Sequence, residues 1–232
     1  TNTDDFSIKP DGSVLFPDGT VLPVSNDNEF TFVKDSDGYS VSGKGVGYYQ
    51  YTGNNSTVVI PMEIDGHKIS SYYMMFYNTN VSKVVSYNPN ITSVVHMFSH
   101  SYGDSLDLKN LDTSNVTNMS GMFWKSEVIS LDLSTFKTSN VTNMYGMFLD
   151  SHANVLDLKN FDTSKVTNMD GMFLDSHAAI LDLSSFNISN VTNMYSMFAD
   201  TKATIGYART EEEAVKFNSS VNKPAGLIFQ TK

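Results

Sequence analysis

Cysteine is absent from the 232 residues, which removes disulfide scaffolds, thiolate metal centres and cysteine nucleophiles from consideration. Long apolar runs are missing too. Val58 to Met62 is among the longest, far short of the roughly 20 residues a membrane-spanning helix needs. Positive charge is scarce: 15 Lys and Arg against 25 Asp and Glu leave a formal charge of −10. A chain so acidic, with no broad basic face, repels nucleic-acid phosphates and anionic headgroups, so neither nucleic acid nor membrane insertion is expected. No nucleophile elbow, phosphate loop or His-Glu-x-x-His segment occurs. Gly43, Gly45 and Gly47 lack the Lys-Ser/Thr that a phosphate loop requires and read as a turn. Neither an initiator methionine nor a signal peptide opens the chain at Thr1, which predicts a processed or excised segment.

What the chain does have is a period. Leu106-Asp107-Leu108 with Met122-Phe123 recurs every 25 residues, at Leu131 to Phe148, Leu156 to Phe173 and Leu181 to Phe198. A fixed period of this length predicts a solenoid, in which each repeat buries its apolar face only against its neighbours. Two looser copies precede these, ending at Met75-Phe76 and Met97-Phe98 only 22 residues apart, so six coils are expected. An apolar content of 40% is ample for a continuous core.

Within each coil, Leu-Asp-Leu alternates in, out, in, as a strand with one buried face must. The later apolar residues follow Ser114, Ser139, Ser164 and Ser189 at +2, +5, +8 and +9. That spacing predicts a short helical or 3₁₀ return capped by the serine, or an extended segment, opposite the sheet, with the Met and Phe side chains as core filler. Asn118, Asn143, Asn168 and Asn193 are expected to satisfy backbone groups. Trp124 should pack at a coil edge, and Tyr145 and Tyr195 should be exposed.

Both ends carry capping signals. Asp-Gly turns at 11–12, 18–19 and 37–38 separate short β-branched and aromatic runs, predicting antiparallel strands within a cap over residues 1–47, preceded by a disordered leader at 1–5. The coils then occupy 48–205. Thr210 to Glu213 forms a capping box opening a helix to about Asn218, and Leu227 to Phe229 reads as a closing strand, so residues 206–232 form the second cap.

The repeat Leu-Asp-Leu-x-x-Phe-x-Thr-Ser-x-Val-Thr-Asn-Met-x-x-Met-Phe, with the opening segment Tyr51 to Gly66 and the closing segment Ile205 to Phe229, resembles the BspA-like leucine-rich-repeat surface proteins of bacteria. The resemblance covers about residues 48 to 232. It implies a leucine-rich-repeat-like solenoid with a parallel sheet on one face, displayed at the surface of a bacterium, usually Gram-positive, and serving adhesion or host contact. Ile188 departs from the repeat threonine, which suggests a last coil adapted to its cap, and no wall-sorting motif is visible.

The column Asp107, Asp132, Asp157 and Asp182 faces outward, and carboxylates stacked about 4.8 Å apart repel by about 0.9 kcal/mol even in water. Lys109 and Lys159, alternating with Ser134 and Ser184, are placed to offset part of that repulsion. These eight residues are the expected ligand-binding face. The alternatives are a weak Ca²⁺ site and a solvated face copied by duplication. His152 and His177, each two residues after an aspartate, offer imidazoles and carboxylates of the kind that chelate a divalent transition metal. Against that, a repeated loop stacks whatever it contains, Lys202 breaks the column and no third histidine joins it, so the expectation is an exposed loop ladder with no metal and no cofactor. The sequence thus predicts a monomeric, non-enzymatic module contacting a host or cell-wall protein or glycan, with a structural spacer as the alternative.

Overall fold

The structure, a computed structural model, describes residues 6–34, 40–41 and 45–232. The expected leader at 1–5, the turn at 37–38 and most of the glycine-rich segment at 43–45 lie outside the described residues. The architecture is a parallel β-solenoid of about seven turns with very little helix.

The chain opens with a three-stranded antiparallel meander, β1 (Ser7–Ile8), β2 (Val14–Leu15) and β3 (Val21–Leu22). Its turns carry the expected chemistry: Gly12 and Gly19 adopt φ +81° and +85°, and the side chains of Asp11 and Asp18 accept the backbone N–H groups of Ser13 and Thr20. A second antiparallel sheet joins β4 (Phe30–Lys34), β5 (Ser40–Val41) and β6 (Gly45–Tyr51) in the order β4-β6-β5. The expected boundary at residue 47 falls inside β6. That strand already belongs to the solenoid core, because Tyr49 and Tyr51 are buried there with Phe30.

The coils follow. Their sheet column runs through β7 (Thr57–Val59), β10 (Lys83–Ser86), β11 (Ser105–Leu111), β12 (Ser130–Asp132), β13 (Ile180–Leu183), β14 (Ile205–Ala208) and the closing β15 (Ile228–Thr231). The small hairpin β8 (Glu63–Ile64) and β9 (His67–Lys68) projects from the first coil. Register is the repeat itself: Leu106 pairs with Leu131 and Asp107 with Asp132, and Ile180 pairs with Ile205, which pairs with Ile228. Beyond β12 the ladder continues only as the bridge of Ser130 to Val155, and β13, β14 and β15 form a separate three-stranded sheet. A second column of parallel bridges links Ser71, Ser93, Asn118, Asn143, Asn168 and Asn193. Each of these four asparagines also accepts the N–H two residues on, which is the backbone role expected of them.

The return segment is neither α nor 3₁₀ helix, and the reason lies in where its N–H groups go. Met119, Gly121, Phe123 and Lys125 donate to carbonyls of Asn143, Tyr145, Met147 and Leu149 in the next coil, at 2.7–2.9 Å. The intervening Met122, Trp124 and Ser126 donate to the residue three before them in their own coil. A helix would satisfy all of these donors internally and leave none for the neighbouring coil. Left-handed residues recur every four positions to sustain the pattern, at Gly121 and Lys125, Gly146 and Asp150, and Gly171 and Asp175. The expected serine caps become Asx turns instead: Ser114 and Ser164 donate their N–H to Asp112 and Asp162, and Ser189 to Asn187.

The core is one cluster running from the first coil to the second cap. Its axis is a file of phenylalanines, Phe76, Phe98, Phe123, Phe148, Phe173 and Phe198, with successive ring centroids 5.4–6.0 Å apart and planes within 8° of parallel. Offset stacking adds to the burial of each ring. The file ends where the repeat ends. Phe217 of α1 (Glu211–Asn218) meets Phe198 edge-on, and Phe229 of β15 meets it tilted. Thr210 caps α1 by accepting the Glu213 N–H at 3.2 Å.

Ile188 fits this ending. In earlier coils Thr113, Thr138 and Thr163 each donate to a carbonyl of the next coil and accept one of its N–H groups. No repeat follows Ile188, which is buried apolar, and its N–H is taken by Glu213 of α1.

Phe148→Ala should therefore cost about 3–5 kcal/mol. Gly146→Ala should cost about 1–2 kcal/mol, because its left-handed backbone disfavours a Cβ although that Cβ would meet Leu149 and Trp124 only at ordinary van der Waals distance. Gly121→Ala should cost more than Gly146→Ala, since its Cβ would strike the His96 ring. Chemical denaturation of the three variants tests the order; a Gly146→Ala protein as stable as the parent would show that the left-handed turn is dispensable.

Candidate outward sheet face

Side chains on the outward face of the sheet fall into three columns set by strand alternation. The central column holds Thr57, Lys83, Asp107, Asp132, Asp157, Asp182, Tyr207 and Gln230. Its members pair in register wherever the strands are continuous. The four aspartates are brought together as expected, but none presents a bare carboxylate. Each bends the chain by accepting the N–H two residues on: Lys109 at 3.1 Å, Ser134 at 3.1 Å, Lys159 at 3.3 Å and Ser184 at 3.2 Å. The Ser134 and Ser184 hydroxyls add bonds of 2.6 and 2.7 Å to the same oxygens.

The second carboxylate oxygen meets a lysine in every coil. Lys83 lies 3.4 Å from Asp107, Lys109 reaches forward one coil to Asp132 at 3.2 Å, and Lys159 holds Asp157 at 2.8 Å. Asp182 is paired with Lys232 from the end of the chain. The repulsion expected of stacked carboxylates is thus offset within the face. For Asp132, partial burial alone would raise the pKa, but hydrogen bonds from Ser134 and Lys109 outweigh it and hold the carboxyl below its ordinary value. Asp157 is lowered chiefly by its bond from Lys159. In Asp182, burial is again outweighed, by Lys232 and Ser184.

The flanking columns differ from one end of the array to the other. On one flank, Val59 and Val85 are buried beneath the N-terminal meander, against Val14, Phe6, Phe16 and Leu22. The meander therefore covers the outside of the sheet in the first coils, while β4 to β6 close the end of the core. On the other flank the position two before the aspartate is Ser105 and Ser130, then Val155, Ile180 and Ile205, and Ile228 in β15. These four apolar side chains are 73, 46, 41 and 58% exposed. They were not among the residues expected to bind, although a change from serine to aliphatic at one repeat position was open to reading.

Between the meander and the sheet lies a cleft of about 360 Å³ lined by Phe6, Phe16, Tyr87, Lys109, Ser134 and Lys137, among others. Two residues of the expected site, Lys109 and Ser134, thus border aromatic rings. Burial pushes the Tyr87 hydroxyl above its ordinary pKa. Trp124 packs half-buried at a coil edge against His96 and Tyr145, and Tyr195 is 62% exposed.

On the opposite edge of the strand column, His152 and His177 stack with centroids 4.2 Å apart. Asp150 contributes a carboxylate oxygen within 4.8 Å of a ring nitrogen from each. Asp175 is tied to Lys202. Among the described residues, no helix is long and apolar enough to cross a membrane.

Carboxylates held low in the folded state bind fewer protons there than when unfolded, so stability is complete above the unfolded pKa and falls as pH drops through the folded one. Thermal midpoints should be level near neutrality and decline below about pH 4. The decline should be shallower in an Asp132→Asn, Asp157→Asn, Asp182→Asn variant. Asp132→Ala should lose about 1 kcal/mol more than Asp132→Asn, which keeps an oxygen for the Ser134 N–H. Melting curves from pH 2 to 7 would refute this if parent and triple variant declined in parallel.

Residues 92–208, just over half of the chain, match the family described as "Mycoplasma protein of unknown function, DUF285". The match runs from within the second looser coil to the last residue of β14, so it covers the four regular coils and leaves the N-terminal cap, the first coil and most of the C-terminal cap outside. Neither a curated protein nor a solved structure gives a significant match. A just-over-half match, spanning the repeats that build the fold, places this chain in the DUF285 family.

Proposed function

We propose that this chain is a surface-associated, non-enzymatic binding module of the BspA-like kind, and that it contacts a protein ligand through the outward sheet face of its C-terminal coils. The observation that carries this reading is the exposed aliphatic row Val155, Ile180, Ile205 and Ile228. Four aliphatic side chains at one repeat position, Ile180, Ile205 and Ile228 of them paired in register across β13, β14 and β15, leave apolar area in water that a partner would bury at about 25 cal/mol per Å². The same face is already used for docking at the other end of the array, where the chain lays its own meander on Val59 and Val85. The lysine-paired aspartates beside the row supply register and discrimination more than affinity.

A protein ligand fits better than a glycan. Sugars bind on open aromatic platforms, whereas Tyr207, the aromatic beside the row, has the Lys232 ammonium 5.1 Å from its ring centroid. The titratable groups of the face are spent on one another, which supports a contact surface over a catalytic one. A second reading, a spacer with no ligand of its own, is favoured by that internal pairing of every aspartate.

Arrays of host-surface and extracellular-matrix proteins, with glycans alongside, separate the two. The parent chain should bind protein features, and a Val155→Ser, Ile180→Ser, Ile228→Ser variant should bind them at least roughly ten-fold less tightly, each lost aliphatic contact being worth about 1 kcal/mol or more. Binding to glycans alone, or equal binding by the variant, would refute the proposal, and silence on every feature would favour the spacer. Sedimentation should show a monomer; self-association abolished by the same substitutions would assign the row to a second copy of the chain.

A further inference from the structure

The His152 and His177 pair plays no part in the proposed contact face. We propose that Asp150, His152 and His177 form a site for a single divalent transition-metal ion of the zinc, nickel or copper class. One ligand atom from each lies within 4.8 Å of the others. Turning the imidazoles out of their near-parallel stack, so that their in-plane lone pairs converge, brings three such atoms to the roughly 2.0–2.2 Å that imidazole and carboxylate ligands adopt around zinc. Water completes the shell of a site open on one side.

The spacing is set by the backbone. The His152 N–H donates to Ser126 and the His177 N–H to Ser151, at 2.8 and 2.9 Å, so coil register holds the imidazoles at the stacked separation of 4.2 Å. Among the described residues neither imidazole nor the Asp150 carboxylate hydrogen-bonds to a protein group. Asp175, which occupies the place of Asp150 one coil on, is instead held by Lys202. That ion pair ends the ladder and leaves three donors close together, with the Lys202 ammonium acting on Asp150 only at longer range. Two nitrogen donors and one carboxylate select borderline transition metals over Ca²⁺ and Mg²⁺, which take oxygen ligands. Bound metal would staple the turn after Phe148 to the turn after Phe173.

Isothermal titration of the whole chain with ZnCl₂, paired with thermal melts, tests the site. A single Zn²⁺ should bind and raise the melting midpoint, whereas Ca²⁺ and Mg²⁺ should leave it unmoved. His152→Gln and His177→Gln should each weaken binding by at least roughly ten-fold, the loss seen when even the supporting shell of a metal site is altered. Asp150→Asn is a second, conservative probe, because Asp150 sits at φ +52°, a conformation asparagine tolerates; it too should bind more weakly. His67→Gln should bind as the parent does. No Zn²⁺ uptake, or undiminished uptake by the His152→Gln, His177→Gln double variant, would overturn the proposal.

Discussion

The hydrogen bonds from one coil to the next are the constraint on which the rest of this molecule depends. In the return segment every second N–H has no acceptor in its own coil and must find a carbonyl of the following one. A buried donor left unpaired costs about 1–3 kcal/mol, so no coil is stable without the next. Coil length is held to 25 residues over the regular array because a single insertion would shift every one of those donors off its acceptor. The same bonds set the ring separation in the phenylalanine file and the spacing of every column on the outward face. Core, face and histidine pair are all consequences of one register.

That dependence also explains the ends. A last coil has N–H groups and core rings with nothing beyond them, and the chain closes them with groups that do not repeat. Glu213, almost fully buried, accepts the Ile188 N–H and is held by Arg209, so the buried carboxylate is compensated by an ion pair and a main-chain donor. Phe217 and Phe229 turn away from the parallel stack, which stops the file from offering a flat ring to another copy. At the first end, Tyr51 tilts against Phe76 by 48° to similar effect.

Much of this was legible in the residues. Leu-Asp-Leu alternation placed the sheet, the period placed the coils, and Thr210 with Glu213 placed α1, because each is a short-range rule with one outcome. For the return segment the residues leave helical, 3₁₀ and extended forms open, because an apolar spacing of three and four suits a helix as well as a chain of turns. The distinguishing signal was Gly121, Gly146 and Gly171 in the middle of the run, where a helix pays about 1 kcal/mol for each glycine and a left-handed turn prefers one. The aspartate column was located but its partners were not. Lys109 reaching the next coil and Lys232 returning from the terminus to Asp182 are contacts between distant positions, and no local pattern encodes them. The meander on Val59 and Val85 is of the same kind.

In a repeat protein the columns separate two sorts of information. Where the copies agree, as with the stacked Phe, the bridging Thr and the turn-forming Asn, the residue answers a demand that every coil makes, and its agreement says nothing about a ligand. Where they disagree, the demand is local. Threonine gives way to Ile188 because the repeat ends there; histidine gives way to Lys202, which forms its ion pair with Asp175. Serine gives way to Val155, Ile180 and Ile205 at a position that Ser105 and Ser130 fill in the neighbouring coils, where they pair in register. An aliphatic residue that the fold does not require, and that water disfavours, is what the proposed partner would cover. The aspartates drew attention first because they recur, yet their recurrence is explained by the Asx turns they make. It is the break in the neighbouring column that points outward.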